Sequence, residues 1–230
     1  MSTGTRAARR DDVTTRVLEI GRRHLTEHGA AALSLRAVTR DLGMVSSAVY
    51  RYVANRDELL TLLVVDAYTE LADEVDDAVR AASRAGWDGR ILVAAIALRS
   101  WARREPARYA LLFGSPVPGY EAPQHTTEPG TRVVRRIVEL VEEGVRRGDI
   151  VDGPGRTAVP RAVRADLSAL RDGLGVSMDA AVIGRAVTLW ATLIGWVSLE
   201  VFGQFGPDPF AAPDRLFEHE VRLALAGLKG

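Results

Sequence analysis

The stretch LSLRAVTRDLGMVSSAVYRYV, residues 33–53, decides the fold of the N-terminal part of this chain. Ser34 is a favourable N-cap for a short helix that extends to Leu42. Gly43 can adopt the positive φ that a tight turn after that helix requires. A second short helix is predicted over residues 47–53. Two short helices joined by a glycine turn, after one longer helix, are typical of a helix-turn-helix.

The remaining sequence predicts an all-α fold, because apolar residues recur at helical spacing in almost every segment. Asn55 and Glu58 form a capping-box pattern at the start of a long helix. The stretch from Gly114 to Gly130 is rich in proline and glycine and predicts a long loop, either functional or mobile. The expected helices cover residues 11–28, 35–42, 47–53, 56 onward, 88–104, 106–113, 131–147, 161–172, 177–205 and 214–228.

We expect a three-helix DNA-binding domain over residues 1–56, with residues 1–10 as a flexible basic arm, and a second helical domain over residues 57–230. The charge distribution supports this division. Residues 1–56 hold ten arginines and five acidic residues, a net charge of +5, whereas the whole chain of 230 residues is neutral. The remainder therefore carries −5. A basic end on an acidic body is typical of a protein whose one end meets a polyanion, although a solvated arginine-rich tail is the alternative.

The exposed face of the second short helix is predicted to read DNA. Its short side chains would let the backbone approach the major groove, while Arg51 and Arg36 reach further; a bidentate arginine–guanine pair discriminates by about 1–3 kcal/mol. A core position for Tyr50 and a merely solvated role for the arginines are the alternatives. The predicted DNA-binding residues are Arg36, Ser46, Ser47, Ala48, Tyr50, Arg51, Tyr52 and Arg56.

The segment from Leu33 to Gly43, followed by AVYRYV at 48–53 and NRDELL at 55–60, resembles the TetR family of transcription regulators. The resemblance implies that the residues matching Tyr50, Tyr52 and Arg56 contact phosphates and that the residue matching Arg36 sometimes reads a base. Two positions depart from the family pattern. Val45 stands where a small polar residue is common, which would shift the cap to Ser46, and Arg56 replaces the usual lysine.

The second domain is expected to bind a ligand and to form the dimer. Its helix over residues 177–205 is apolar around nearly its whole circumference, so it must be covered on several sides. Together with the last helix it would form the four-helix dimer contact that the TetR resemblance implies. The alternative is that both helices only fill the core of one chain. The predicted dimer residues are Val197, Val201, Phe217, Val221 and Leu225.

WATLIGWVSLE, residues 190–200, also resembles the tryptophan–histidine–glycine subgroup of C-terminal domains in this family, with Ile194 in the place of the histidine. Few charged residues interleave with a set of seven aromatic and aliphatic residues that could line a pocket between helices, which predicts a largely apolar effector. The alternative is that these residues are simply core. The candidate ligand-binding residues are Trp101, Tyr109, Phe113, Ile137, Val141, Trp190 and Ile194.

Other classes of protein are less favoured by the sequence. It contains no cysteine, phosphate-binding loop, dinucleotide fingerprint or nucleophile elbow, so we expect no enzyme, cofactor or metal ion. A small helical enzyme using His125 or His219, or a helical protein-interaction module, are the alternatives. We expect a cytoplasmic homodimer that binds double-stranded DNA and a small-molecule effector, without a membrane segment, and repression is the commoner mode that the family resemblance implies.

Overall fold

The computed structural model describes residues 3–153 and 158–229. Within these ranges the chain is all-helical and has no strand, which confirms the predicted fold class. The helices are α1 Thr3–His28, α2 Leu35–Asp41, α3 Ser46–Val49, α4 Arg56–Ala81, α5 Trp87–Arg104, α6 Pro106–Phe113, α7 Thr127–Arg146, α8 Arg161–Leu174, α9 Ala180–Val201 and α10 Pro213–Lys229.

The first compact unit comprises residues 1–70 and 104–130. Its core joins the first four helices, and Val17, Val38 and Val49 are among its fully buried residues. Ion pairs add specific contacts to this core. Arg22 of α1 donates to Asp66 of α4, and the buried Arg108 of α6 bridges Asp66 and Glu70 of the same helix. Helices α1 and α6 are therefore both attached to the N-terminal half of α4.

The second compact unit comprises residues 71–103 and 131–230. It is organised around α9, against which α8 and α10 pack. Arg99 of α5 is buried and donates two hydrogen bonds, of 2.6 and 2.7 Å, to Glu200 of α9 and one of 2.8 Å to Asp214 of α10. Helix α9 has the length and hydropathy of a membrane-crossing helix, but 44% of its most apolar window is buried inside this unit. That burial fits a core helix.

Several boundaries differ from the sequence predictions. The expected flexible arm is helical from Thr3, because RAARR, residues 6–10, contains only good helix formers. The second short helix, α3, is shorter than predicted and ends at Val49. The loop after α6 ends early, since a 3-10 turn at Gln124–Thr126 leads into α7 at Thr127.

Helix α9 also differs at its start. Its N-cap is Asp179, whose carboxylate accepts from the Ala181 N–H, whereas the sequence predicted that the helix begins at residue 177. The backbone N–H of Ser177 instead donates to Glu142. The compact units divide α4 after Glu70, so they do not coincide with the functional boundary predicted at residue 56. That functional boundary remains a prediction.

Candidate DNA interface and ligand sites

Local capping bonds mark the starts of α2 and α4 in the N-terminal unit. The Ser34 hydroxyl accepts from the Ala37 N–H, and Gly43 has a φ of 68° in the turn after α2, as the sequence predicted. Asn55 caps α4 by accepting from the Glu58 N–H at 2.8 Å. The Glu58 carboxylate in turn accepts from the backbone N–H of Ala54 at 2.6 Å, one residue earlier than in a standard capping box. These bonds define the start of α2 and the start of α4, on either side of α3.

Helix α3 packs into the core through Val49, and Tyr50, the residue after the helix, is exposed. Val49 and Val53 are fully buried, and Thr39 is buried on α2. Tyr50 is 47% exposed, which rules out the core alternative for this residue. Tyr52 is half-buried and packs against the core cluster. The side chains of Ser46 and Ser47 lie outside the described part of the structure, so their predicted role stays a prediction.

The arginines near α3 differ in whether they are paired with another group of the chain. Arg36 and Arg51 are exposed and take part in none of the hydrogen bonds or ion pairs found among the described residues, so their guanidinium groups are available to a partner. Arg23, in contrast, is paired within the chain, because it donates to Asp41 at 2.9 Å. The same carboxylate is hydrogen-bonded to His24 at 2.8 Å. The bond from His24, with a second from Arg23, holds the pKa of the Asp41 carboxyl below its usual value.

Arg56 has an intrachain role that the sequence did not predict. Its Nε donates to the Leu33 carbonyl at 3.0 Å, and its Nη2 donates to the carbonyls of Ala30 and Ala31 at 3.1 and 3.0 Å. The planar guanidinium thus holds the α1–α2 loop against the start of α4, which a lysine could not do with the same geometry. This intrachain role accounts for the arginine, and its predicted phosphate contact remains a prediction.

The candidate ligand residues are not gathered into one pocket. Tyr109 and Phe113 belong to the first unit, where their rings lie 5.0 Å apart. Ile137 and Trp190 line an apolar cavity of about 190 Å³ among α7, α8 and α9 of the second unit. Trp101, Val141 and Ile194 are in the second unit but do not line this cavity. Its remaining lining residues are all aliphatic: Val134, Val138, Leu170, Leu174, Ile183, Ala186 and Val187.

The predicted dimer residues are mostly buried within one chain. Val197, Phe217, Val221 and Leu225 are each at most 5% exposed, because they pack α9 and α10 together. Only Val201 keeps partial exposure. These four side chains offer a partner no accessible surface, so the alternative of an intramolecular core fits them.

Sequence reasoning missed a different face of α9. The exposed positions of α9 fall on one side of the helix and include no charged residue; they are Val187, Thr188, Ala191, Thr192, Gly195 and Leu199, and the exposed Phe202 just after the helix continues this side. The spacing of these residues was visible in the sequence. This spacing could not indicate which side of α9 is exposed, because the opposite side is just as apolar. Only the packing shows which side is covered.

Residues 3–56, which we call the head, form a helix-turn-helix of the kind found in DNA-binding transcription regulators. Comparison with known proteins agrees. Residues 91–224 match the family model for the "Tetracyclin repressor-like, C-terminal domain". The chain is 46% identical over 228 residues to the HTH-type transcriptional regulator Rv1816 of Mycobacterium tuberculosis, an alignment that covers 98% of this chain and 96% of the relative.

Solved structures show the same fold. The regulatory protein SCO4313 is 34% identical, with a TM-score of 0.77 over 96% of this chain and 98% of that one. A TetR-family regulatory protein from Rhodococcus RHA1 is 16% identical, with a TM-score of 0.60 over 94% and 96% of the two chains. The chain belongs to the TetR family of transcriptional regulators and is not an enzyme. The tryptophan–histidine–glycine subgroup remains a prediction.

Proposed function

We propose that this regulator is a cytoplasmic homodimeric repressor that binds a palindromic operator and releases it when a small apolar effector binds. The observation that carries the DNA-binding part is the arrangement around α3. Tyr50, Arg51 and Arg36 are exposed above a fully buried hydrophobic core, and the two arginines are not engaged elsewhere in the described structure. A rigid head with available guanidinium groups can make both phosphate and base contacts.

The exposed face of α9 supports the homodimer. Leu199 and Phe202 are 38% and 42% exposed on this uncharged face. The hydroxyls of Thr188 and Thr192 donate to carbonyls of their own helix, so they satisfy their hydrogen bonds without solvent. Gly195 lies at the centre of the face with no atom within 4 Å of where a Cβ would stand. Glycine inside a helix costs about 1 kcal/mol relative to alanine, and a closely approaching partner helix would explain it.

In the proposed dimer, the exposed face of α9 packs against the same face of a second copy of the chain. Two copies of an identical face related by a twofold axis make a self-complementary contact. Such a dimer would hold two heads about 34–36 Å apart, one turn of DNA, and would thereby select inverted half-sites. A single four-residue recognition helix contacts too few bases to specify a site alone, so the second head is needed for specificity.

The apolar cavity among α7, α8 and α9 is the proposed effector site. Its lining contains no charged side chain, and its volume of about 190 Å³ suits a small hydrophobic molecule. Repression requires that such a molecule bind the DNA-releasing conformation more tightly than the DNA-binding one. Ala186→Leu should fill the cavity and reduce the rise in melting temperature that small aromatic hydrocarbons produce, whereas Ala169→Leu, exposed on α8, should not.

The DNA-binding proposal is tested by selecting bound sequences from a random duplex pool with the purified full-length protein. We expect enrichment of an inverted repeat whose half-site centres are one helical turn, or a multiple of it, apart. Binding to the selected site should weaken steeply as salt rises, because phosphate contacts release counterions. Failure to enrich any sequence, or enrichment of a single half-site, would contradict the proposal.

A further inference from the structure

A second cavity lies at the C-terminal end of α9, apart from the proposed effector site. It has a volume of about 180 Å³ and is bounded by Trp196, Phe205 and Phe210, with Glu200 and Asp208 at its polar side. Glycines and prolines of the segment between α9 and α10 complete its wall. Nothing in the DNA-binding or dimer proposals uses this cavity.

The aromatic rings form a compact cluster. The centroid of Trp196 lies 5.0 Å from that of Phe205 and 6.1 Å from that of Phe210, and Phe205 and Phe210 are 5.2 Å apart. The three side chains stay half-buried rather than fully buried. Aromatic faces carry a negative potential, and positive ions are attracted to them within about 6 Å of the ring centre.

A fourth ring, Phe217, lies next to this cluster and already contacts a cation. The guanidinium carbon of Arg99 lies 5.0 Å from the centroid of Phe217, whose ring is 6.1 Å from Trp196. Arg99 also neutralises Glu200 through two hydrogen bonds, and Arg103 lies 3.6 Å from the same carboxylate. Glu200 therefore adds little net charge to the cavity.

Asp208 supplies the unbalanced charge of the cavity. Its carboxylate is exposed and makes no hydrogen bond or ion pair within the described structure. Its φ of 47° is the single positive value outside glycine among the described residues. The carbonyls at the C-terminal end of α9 contribute further negative potential near Gly203. Aromatic faces, one free carboxylate and a helix C-terminus all favour a positive ligand.

We propose that this cavity binds a small organic cation of the quaternary ammonium type. The absence of hydrogen-bond donors on such a cation suits walls made of rings, which attract charge without requiring a directional bond. The volume is below the roughly 300 Å³ of pockets that hold drug-sized ligands, so it suits a head group rather than a large molecule. The proposal concerns binding alone and is independent of the DNA-binding and effector proposals.

The test uses the full-length protein without DNA and choline as the probe, with 3,3-dimethylbutan-1-ol as its neutral isostere. Isothermal titration should show choline binding at least about tenfold more tightly than the isostere. Choline should also shift the indole N–H signal of Trp196, which Trp196→Phe identifies among the four tryptophans. Equal affinity for both compounds, or no heat and no shift at millimolar choline, would overturn the proposal.

Asp208→Asn is the informative variant, because asparagine tolerates a positive φ and only the charge is removed. We expect choline affinity to fall about fivefold or more while the melting temperature stays unchanged. Asp166→Asn removes the same charge from an exposed position on α8 and should leave choline affinity unchanged. Equal choline affinity of Asp208→Asn and the parent would also refute the proposed site.

Discussion

The proposed DNA-binding surface around α3 and the exposed face of α9 both contain small residues in their sequence, yet they differ in charge. Ala48 follows two serines in α3, while Ala191 and Gly195 occupy the centre of the α9 face. Arginines flank the first surface, and no charged residue lies on the second. Small residues let a partner's backbone come close. The surrounding charge then determines whether that partner is a phosphate backbone or a second apolar helix.

The largest expected effect comes from placing a charge on the uncharged surface. Gly195→Arg should convert the dimer to a monomer, since a guanidinium cannot be buried there without a counter-ion. Each chain should still fold, because open space surrounds the Cα of Gly195. Losing the second head should weaken operator binding by about 100-fold or more. Light scattering would report the mass, and fluorescence anisotropy would report the DNA affinity.

Gly227→Arg on α10 is the matched control for this substitution. It also replaces a helical glycine that has no atom near its Cβ position, and it introduces the same charge. We expect this variant to remain dimeric. If Gly227→Arg dissociated the dimer and Gly195→Arg did not, the contact would involve α10 and the assignment of the α9 face would be wrong.

The next effect concerns the charged surface. Arg51→Ala should weaken binding to the selected operator by about 5- to 150-fold, the range that corresponds to losing one bidentate base contact of about 1–3 kcal/mol. Binding to random duplex should weaken far less, since phosphate contacts there are redundant. Arg84→Ala removes an exposed arginine of the second unit and should change neither affinity. Parallel losses on operator and random DNA would show that Arg51 contacts only phosphate.

The two surfaces also differ in how well the sequence predicted them. The head depends on local signals, namely Ser34 as a cap, Gly43 in the turn and Asn55 before α4, and all three are confirmed by the structure. The body depends on long-range packing. Because α9 is apolar on both sides, the sequence could not show that Val197 is covered within the chain and that Gly195 is exposed.

Arg56 shows the same limit within the head. The sequence indicated a basic residue at a position where the family contacts phosphate, but the three carbonyls that it binds lie 23 to 26 residues away in the chain. No local pattern could reveal that partnership. The arginine-for-lysine departure was the visible signal, since a planar fork of five donors can reach separate carbonyls with a geometry that a single ammonium group cannot reproduce.

A smaller effect is expected when this fork is altered. Arg56→Lys should lower the free energy of unfolding by about 1–2 kcal/mol, because charge-assisted hydrogen bonds to the loop carbonyls are lost. DNA affinity should fall by a similar factor on operator and random duplex, since the loosened α1–α2 loop supports the whole head. Urea unfolding and anisotropy measure the two quantities. If Arg56→Lys were as stable as the parent, the bonds to the loop carbonyls would not be the main role of Arg56, and the predicted phosphate contact would be favoured instead.

The smallest expected effect is the pH dependence of the head, which follows from the depressed pKa of Asp41. The bond with His24 and the bond from Arg23 favour the ionised carboxyl in the folded state. The stabilisation is therefore complete above the pKa of about 3.8 that the group has when unperturbed, and it disappears as the pH falls through the lower folded value. In Asp41→Asn this contribution is absent at every pH. The urea midpoints of parent and variant should thus differ by a constant amount above about pH 5 and should converge below about pH 4. A difference that persisted unchanged to pH 3 would mean that the Asp41 carboxyl stabilises the head through its shape and hydrogen-bonding capacity alone, and not through its charge.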